Sequence, residues 1–129
     1  MKPMTAEWVE KAEGDFAMVL RELRARKNPC HDGACYHAQQ CAEKYLKAQL
    51  CEAGIEFAKI HDLVALLNQA IAIEPAWKRF REDLAYLSDF AVAFRYPGES
   101  ADKATAADAR QRCKRFRAAA RGALGMDAK

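Results

Sequence analysis

Asp32-Gly-Ala-Cys-Tyr-His-Ala-Gln-Gln-Cys-Ala-Glu-Lys-Tyr-Leu-Lys-Ala48 is the stretch that decides the fold. Ala34, Ala38, Cys41, Tyr45 and Ala48 recur at helical spacing, and Cys35, Ala42, Leu46 and Leu50 widen that stripe. Asp32 is a residue type favoured at a helix N-cap, and Gly54 stands where a left-handed residue closes a helix. The pattern therefore predicts a helix from about Asp32 to Gly54. Small residues in its inner stripe let a neighbouring helix approach closely. The opposite stripe is polar: His37, Gln40, Lys44 and Lys47.

Four further helical segments flank this one, and no stretch reads as a strand. The first begins after Pro3, with Thr5 as its candidate N-cap, and aligns Trp8, Ala12, Phe16, Val19 and Leu23. It stops before Asn28-Pro29, because a proline pushes the preceding residue out of the helical region. The third is short, opening at Asp62 with Leu63, Leu66, Leu67 and Ile71. The fourth starts near Pro75 and carries Trp77, Phe80, Leu84, Leu87, Ala91 and Phe94, ending by Tyr96 ahead of Pro97-Gly98. The fifth runs from about Ser100 to Leu124 with Ala106, Ala109, Cys113, Phe116, Ala120 and Leu124 inward. Short connections between long helices favour antiparallel neighbours, so the expected fold is all-α: an up-and-down bundle of four long helices plus a short one, as one domain over residues 1–129.

Composition narrows the class. The chain has 129 residues, 51% apolar and 30% charged, a balance suited to one globular domain. A formal net charge of +3 is too small by itself to indicate a nucleic-acid binder. The five cysteines (Cys30, Cys35, Cys41, Cys51 and Cys113) are odd in number and lack a C-x-x-C pair, which argues for reduced thiols. No apolar run approaches membrane-spanning length, and the start of the chain lacks a secretory apolar region. A cytoplasmic protein is the expectation.

Five groups of residues could carry chemistry. Cys30, His31, Cys35, His37 and Cys41 match no zinc spacing, and Cys35 and Cys41 fall on an apolar face; no metal or cofactor is expected. Gln39, Gln40, Glu43, Lys44 and Lys47 form either a solvated face, steadied by a Glu43–Lys47 pair at i,i+4, or a binding surface. In Lys59-Ile-His-Asp62, Asp62 is explained by capping, and His61 either bonds a helix terminus or titrates near neutral pH. Arg95 either answers the helix dipole or holds a phosphate bidentately beside Tyr96. Arg110, Arg112, Lys114, Arg115, Arg117 and Arg121 make a basic face on the fifth helix, again solvated or phosphate-binding, with no interleaved aromatics for base stacking.

The block from Asp32 to Ala48 strongly resembles the start of HEPN domains, the "higher eukaryote and prokaryote nucleotide-binding" helical bundles. Lys59-Ile-His-Asp-Leu63 looks like the family's third-helix entry, and Phe94-Arg-Tyr-Pro97 like its Arg-Tyr-Pro block. Trp8 and Asp15-Phe16 match positions in the first helix, so the similarity spans nearly the whole chain.

The resemblance implies an antiparallel bundle, usually a homodimer, and two functional branches. One comprises small proteins paired with a minimal nucleotidyltransferase in toxin–antitoxin-like modules. The other comprises metal-independent ribonucleases marked by an arginine followed four to six residues later by a histidine. No histidine follows Arg95 here; His31, His37 and His61 all lie upstream. Arg26 and His31 satisfy the spacing, but they straddle the first loop. The resemblance thus favours a nucleotide- or RNA-phosphate-binding homodimer acting with a nucleotidyltransferase, with an atypical ribonuclease as the alternative. The polar set carried over is Asp32, His37, Gln40, Lys44, Lys47, His61, Arg95 and Tyr96. In it Arg95 contacts phosphate, Lys44 and Lys47 add positive charge, and the Tyr96 hydroxyl is a modification target for the partner enzyme.

Overall fold

Proline is tolerated in the first helical turn, where its missing N–H would have no partner anyway. The computed structural model, which describes residues 1–129, accordingly begins α1 at Pro3 (Pro3–Arg24), with Lys2 as a cap that offers no side-chain bond. Thr5 is therefore not the N-cap but a buried residue inside the first turn. Helix α2 (His31–Glu52) is capped two residues before the expected Asp32: Cys30 is the cap, its Sγ accepting from Gly33 N at 3.3 Å. The chain leaves α2 through Gly54, whose φ of +72° is the left-handed conformation that glycine adopts without steric cost. Asp62 does cap α3 (Leu63–Ala70), accepting from Val64 N and Ala65 N.

The fourth helical passage is not one continuous helix. A 3₁₀ turn, Pro75–Phe80, leads into α4 (Arg81–Ser88), and a second 3₁₀ turn, Asp89–Ala91, ends it. A 3₁₀ turn brings residues i and i+3 into line. Trp77 and Phe80 are so aligned, and both rings meet Phe116 edge-on at 5.0 and 5.4 Å. At the far end Phe94 takes a left-handed φ of 63°, and its ring stacks on Phe90 at 5.8 Å. The helical path thus stops at Ala91, short of Tyr96. Asp102 then caps α5 (Lys103–Ala123) by accepting from Thr105 N at 2.7 Å, two residues after Ser100.

Long-range bonds give the topology. Lys2 N donates to Glu52 Oε1 at 2.9 Å and Cys30 N to Glu22 Oε1 at 3.4 Å, so α1 and α2 are antiparallel. Ala101 N donates to Asp32 Oδ1 at one end of the bundle, and Arg121 Nη1 donates to the Tyr45 hydroxyl towards the other. Helices α2 and α5 are therefore parallel. Phe80 packs on Phe116 and Tyr86 lies beneath Arg112, which makes α4 antiparallel to α5. The passages α1, α2, α4 and α5 alternate in direction, with α3 in the connection between α2 and α4. No helix is long and apolar enough to cross a membrane.

Helix α2 is the axis of this bundle. It touches α1, α3, α4 and α5, and its residues 38–43 are buried without interruption. The polar stripe expected to face water is largely inside: Gln40 and Lys47 are buried together with Gln39 and Glu43. Ala34, Ala38 and Ala48 have no exposed surface, so the neighbouring backbones sit where a larger side chain would be. Ala38→Leu is expected to cost about 2 kcal/mol through overpacking. Leu at the exposed Ala107 serves as the control and is expected to stay within about 0.5 kcal/mol in urea denaturation.

Candidate functional site

Asp15 is an acid in the apolar stripe of α1, between Ala12 and Val19, and it is buried. A buried carboxylate needs partners. It has two, both from α2 and two turns apart: His37 Nδ1 donates to Oδ1 at 2.7 Å, and Lys44 Nζ donates to Oδ2 at 2.5 Å. The structure thus brings together two residues of the expected site through a third that the polar stripe alone does not disclose. Its place within an otherwise apolar stripe is the signal that could have found it.

A second cluster runs along α2 by i,i+4 steps. Glu43 Oε2 accepts from Lys47 Nζ at 3.0 Å, while Oε1 accepts from His61 Nδ1 at 2.8 Å and from Gln39 Nε2 at 3.2 Å. Gln39 also donates to the His61 carbonyl at 3.1 Å and accepts from Gln40 Nε2 at 2.7 Å. Gln40, Lys47 and His61 are therefore joined, with Gln39 and Glu43 between them. The Lys47 ammonium also lies 5.6 Å from the Trp8 ring and 5.8 Å from the Phe57 ring, within cation–π range. The only group of this cluster well exposed to solvent is the His61 imidazole, 66% exposed.

In both clusters a buried carboxylate engages Nδ1 of a histidine. In the neutral ring this fixes the proton on Nδ1 and leaves Nε2 as the acceptor. No three His, Cys, Asp or Glu side chains converge in a way that could hold a metal ion.

The other expected site residues lie apart from these clusters. Asp32 accepts Ala101 N at 2.6 Å, which fastens the connection that carries Arg95 and Tyr96 to the start of α2. Arg95 is exposed, has no carboxylate partner and donates Nη2 to the Ala91 carbonyl at 3.1 Å. Tyr96 is 71% exposed. Arg95 and Tyr96 thus occupy an open turn, joined by side-chain contact to none of His37, Lys44, Lys47 or His61.

The basic face of α5 is mostly occupied. Arg112 and Arg115 bind Asp83, and Arg112 also binds Asp108 and covers the Tyr86 ring at 4.2 Å. Arg117 grips Glu13 with two bonds of 2.7 and 2.6 Å, and its guanidinium lies over Phe16 at 4.4 Å. Glu13 further accepts from the Tyr45 hydroxyl at 2.6 Å, and Arg121 stands 3.5 Å away. Burial by itself would raise the Glu13 pKa, but the bonds from Arg117 and Tyr45 and the nearby charges outweigh it and hold the carboxyl below its ordinary 4.5. Burial and the Glu13 carboxylate push the Tyr45 phenol up, while Arg121 opposes them in part.

A carboxyl with a depressed folded-state pKa contributes stability above its unfolded value and loses it as pH falls through the folded one. Glu13→Gln is expected to cost about 2 kcal/mol at pH 7, allowing for partial exposure of the carboxylate. The gap between wild type and variant should narrow as pH drops below about 4.5. Urea denaturation at pH 7, 4.5 and 3 checks this; a gap that stays constant would assign the loss to packing instead.

Comparison with known proteins adds one finding. The family model described as "HEPN domain" matches residues 5–123, which takes in all five helices except the first two residues of α1. No curated protein and no solved structure matches significantly. With a match over most of its length on an all-helical antiparallel bundle, the chain belongs to the HEPN domain family.

Proposed function

We propose that this HEPN protein binds nucleotide or RNA phosphate at the Arg95–Tyr96 turn. On this reading it works as a homodimer with a minimal nucleotidyltransferase, in a toxin–antitoxin-like module. The observation that carries the proposal is the state of Arg95. Four arginines of α5 are committed to Asp83, Asp108 and Glu13, whereas Arg95 is exposed and keeps most of its donors free. A guanidinium in that state can bind a phosphate through two parallel bonds. The bond from Asp32 to Ala101 ties the connection that carries the turn to the N-terminal end of α2. In this scheme His37, Lys44 and His61 line the approach and the buried Gln40 and Lys47 shape it from within, the Lys44 and Lys47 charges being answered by Asp15 and Glu43 rather than left for the phosphate.

The homodimer and the partner enzyme draw support from the same end of the molecule. Tyr36, Val92 and Tyr96 leave apolar surface uncovered there. The open Tyr96 hydroxyl is available to a transferase, unlike the Tyr45 hydroxyl, which is bonded to Glu13 and Arg121.

One observation favours a second reading, a metal-independent ribonuclease with an atypical site. His61 is held at Nδ1 by Glu43 while most of its ring faces solvent, the arrangement of a general base that takes a proton at Nε2. Chelator-resistant RNA cleavage, lost in both His61→Ala and Arg95→Ala, would establish it.

Arg95→Ala is expected to keep the melting temperature within about 2 °C, because the residue is exposed. It should weaken RNA or nucleotide binding about 10- to 100-fold in fluorescence anisotropy, the size of a lost charge-assisted contact. Unfolding of the variant would instead make Arg95 a structural residue. Native affinity purification read by mass spectrometry tests the partner. A small nucleotidyltransferase in stoichiometric amount supports the module, and recovery of the protein alone or with RNA counts against it.

A further inference from the structure

Three cations of α1 and α5 that enter no ion pair come together beside Arg117, which Glu13 neutralises, and the Ala128–Lys129 segment. Arg24 in the last turn of α1 faces Arg110 and Lys114, one turn apart on α5, across a cleft of about 380 Å³ floored by Phe16 and Leu20. Arg24, Arg110 and Lys114 enter none of the ion pairs that occupy the neighbouring arginines. Like charges at i,i+4 on a helix repel, and neither Arg110 nor Lys114 has an ion pair to offset that cost. Arg110 Nε is in addition shielded from solvent and bonded to nothing. A shielded donor without an acceptor is rare in folded proteins, and the side chain that carries it lines this cationic cleft.

We propose that this α1–α5 cleft is a second anion site, which takes a compact chain of phosphates such as the polyphosphate moiety of a nucleotide. A multiply charged phosphate relieves the mutual repulsion of three cations and offers acceptors to the ammonium and guanidinium donors that line the cleft. The volume suits a ligand of nucleotide size rather than a strand passing through. The apolar floor gives no platform for a base, because the Phe16 ring is already covered by the Arg117 guanidinium. Recognition therefore falls on the phosphates. The inference stands apart from the proposal for Arg95, since it uses a different pair of helices and other cations.

Isothermal titration of the full chain with inorganic triphosphate, and in parallel with ATP, tests the site. Both ligands are expected to bind; equal affinity assigns recognition to the phosphate chain alone, and tighter ATP binding adds a contribution from the nucleoside. Lys114 is exposed, so Lys114→Glu should fold normally, and it is expected to weaken both ligands about tenfold or more. Arg110→Ala should weaken them to a similar extent at this cleft, and Arg95→Ala should remove only the binding that belongs to the Arg95 turn, leaving the α1–α5 site at its wild-type affinity. Triphosphate should also raise the melting temperature of wild type, beyond sodium chloride of equal ionic strength, but not that of Lys114→Glu. The proposal is overturned if wild type binds neither probe, if it binds only RNA, or if Lys114→Glu keeps triphosphate affinity within fivefold. Loss of triphosphate binding in Arg95→Ala alone would overturn it too, by moving the anion to the other turn.

Discussion

The burial of Glu43 and Lys47 inside a bundle is the constraint on which the rest of this structure depends. Helix α2 is enclosed by α1, α3, α4 and α5, so water is not available to most of its polar side chains. An ion pair in such a place stabilises little on its own account, but either partner left alone would cost about 3–5 kcal/mol. The surroundings are therefore fixed by what the pair still lacks. Glu43 has a second oxygen to satisfy, which draws in His61 and Gln39. Lys47 has an apolar stem and residual charge, which Trp8 from α1 and Phe57 from the loop cover. A local sequence feature, Gln39-x3-Glu43-x3-Lys47 at helical spacing, thereby positions the segment between α2 and α3 and turns one imidazole outward.

Helix α1 meets the same need from the other side. Residues two apart on an α-helix point about 200° away from each other. Glu13 and Asp15 therefore serve opposite flanks of α1. Asp15 binds His37 and Lys44 of α2, and Glu13 binds Arg117 of α5 along with the Tyr45 hydroxyl. The helix is a wedge with a carboxylate on each flank, and the apolar Ala12, Phe16 and Val19 lie between them. Two histidines acquire a defined orientation from acids whose first duty is structural. Any chemistry at His37 or His61 rests on groups that the fold requires in any case.

Features encoded within a few residues were legible in the sequence. Asp62 as a cap, Gly54 as a left-handed terminator and the inward stripe of α5 each depend on neighbours one or two turns away, and each stands where periodicity puts it. What was not legible depended on distant partners. Periodicity marks Gln40 and Lys47 as opposite to the apolar stripe, but it cannot report how many helices surround α2, so a polar face meant for the interior looks like a solvated one. The bond between Glu13 and Arg117 joins residues 104 apart in the chain. The break of the fourth passage at Phe80 answers to Phe116 on another helix. For the candidate site, resemblance supplied most of the residue names; Gln39 and Glu43 stood in the polar face, with the Glu43–Lys47 pair at its expected spacing, and Asp15 in the first-helix match, but the part of Asp15, Gln39 and Glu43 in holding the site histidines emerged only from their contacts.

A net charge of +3 says little about where an anion would settle, because charge is sorted by pairing rather than by number. Each carboxylate facing α5 neutralises and immobilises one or two arginines, and those arginines become part of the framework. Bonded to these acids, they could serve a ligand only by giving up contacts within the protein. A cation that no acid reaches keeps its donors, and its field is countered only by solvent and salt. By that criterion the basic stretch from Arg110 to Arg121 is two surfaces, although it looks uniform in sequence. Arg112, Arg115, Arg117 and Arg121 fasten α5 to α4 and α1. Arg110 and Lys114 enter no ion pair, and with Arg24 they line the α1–α5 cleft. Arg95 meets the same criterion on its open turn, where nothing but a backbone carbonyl engages it.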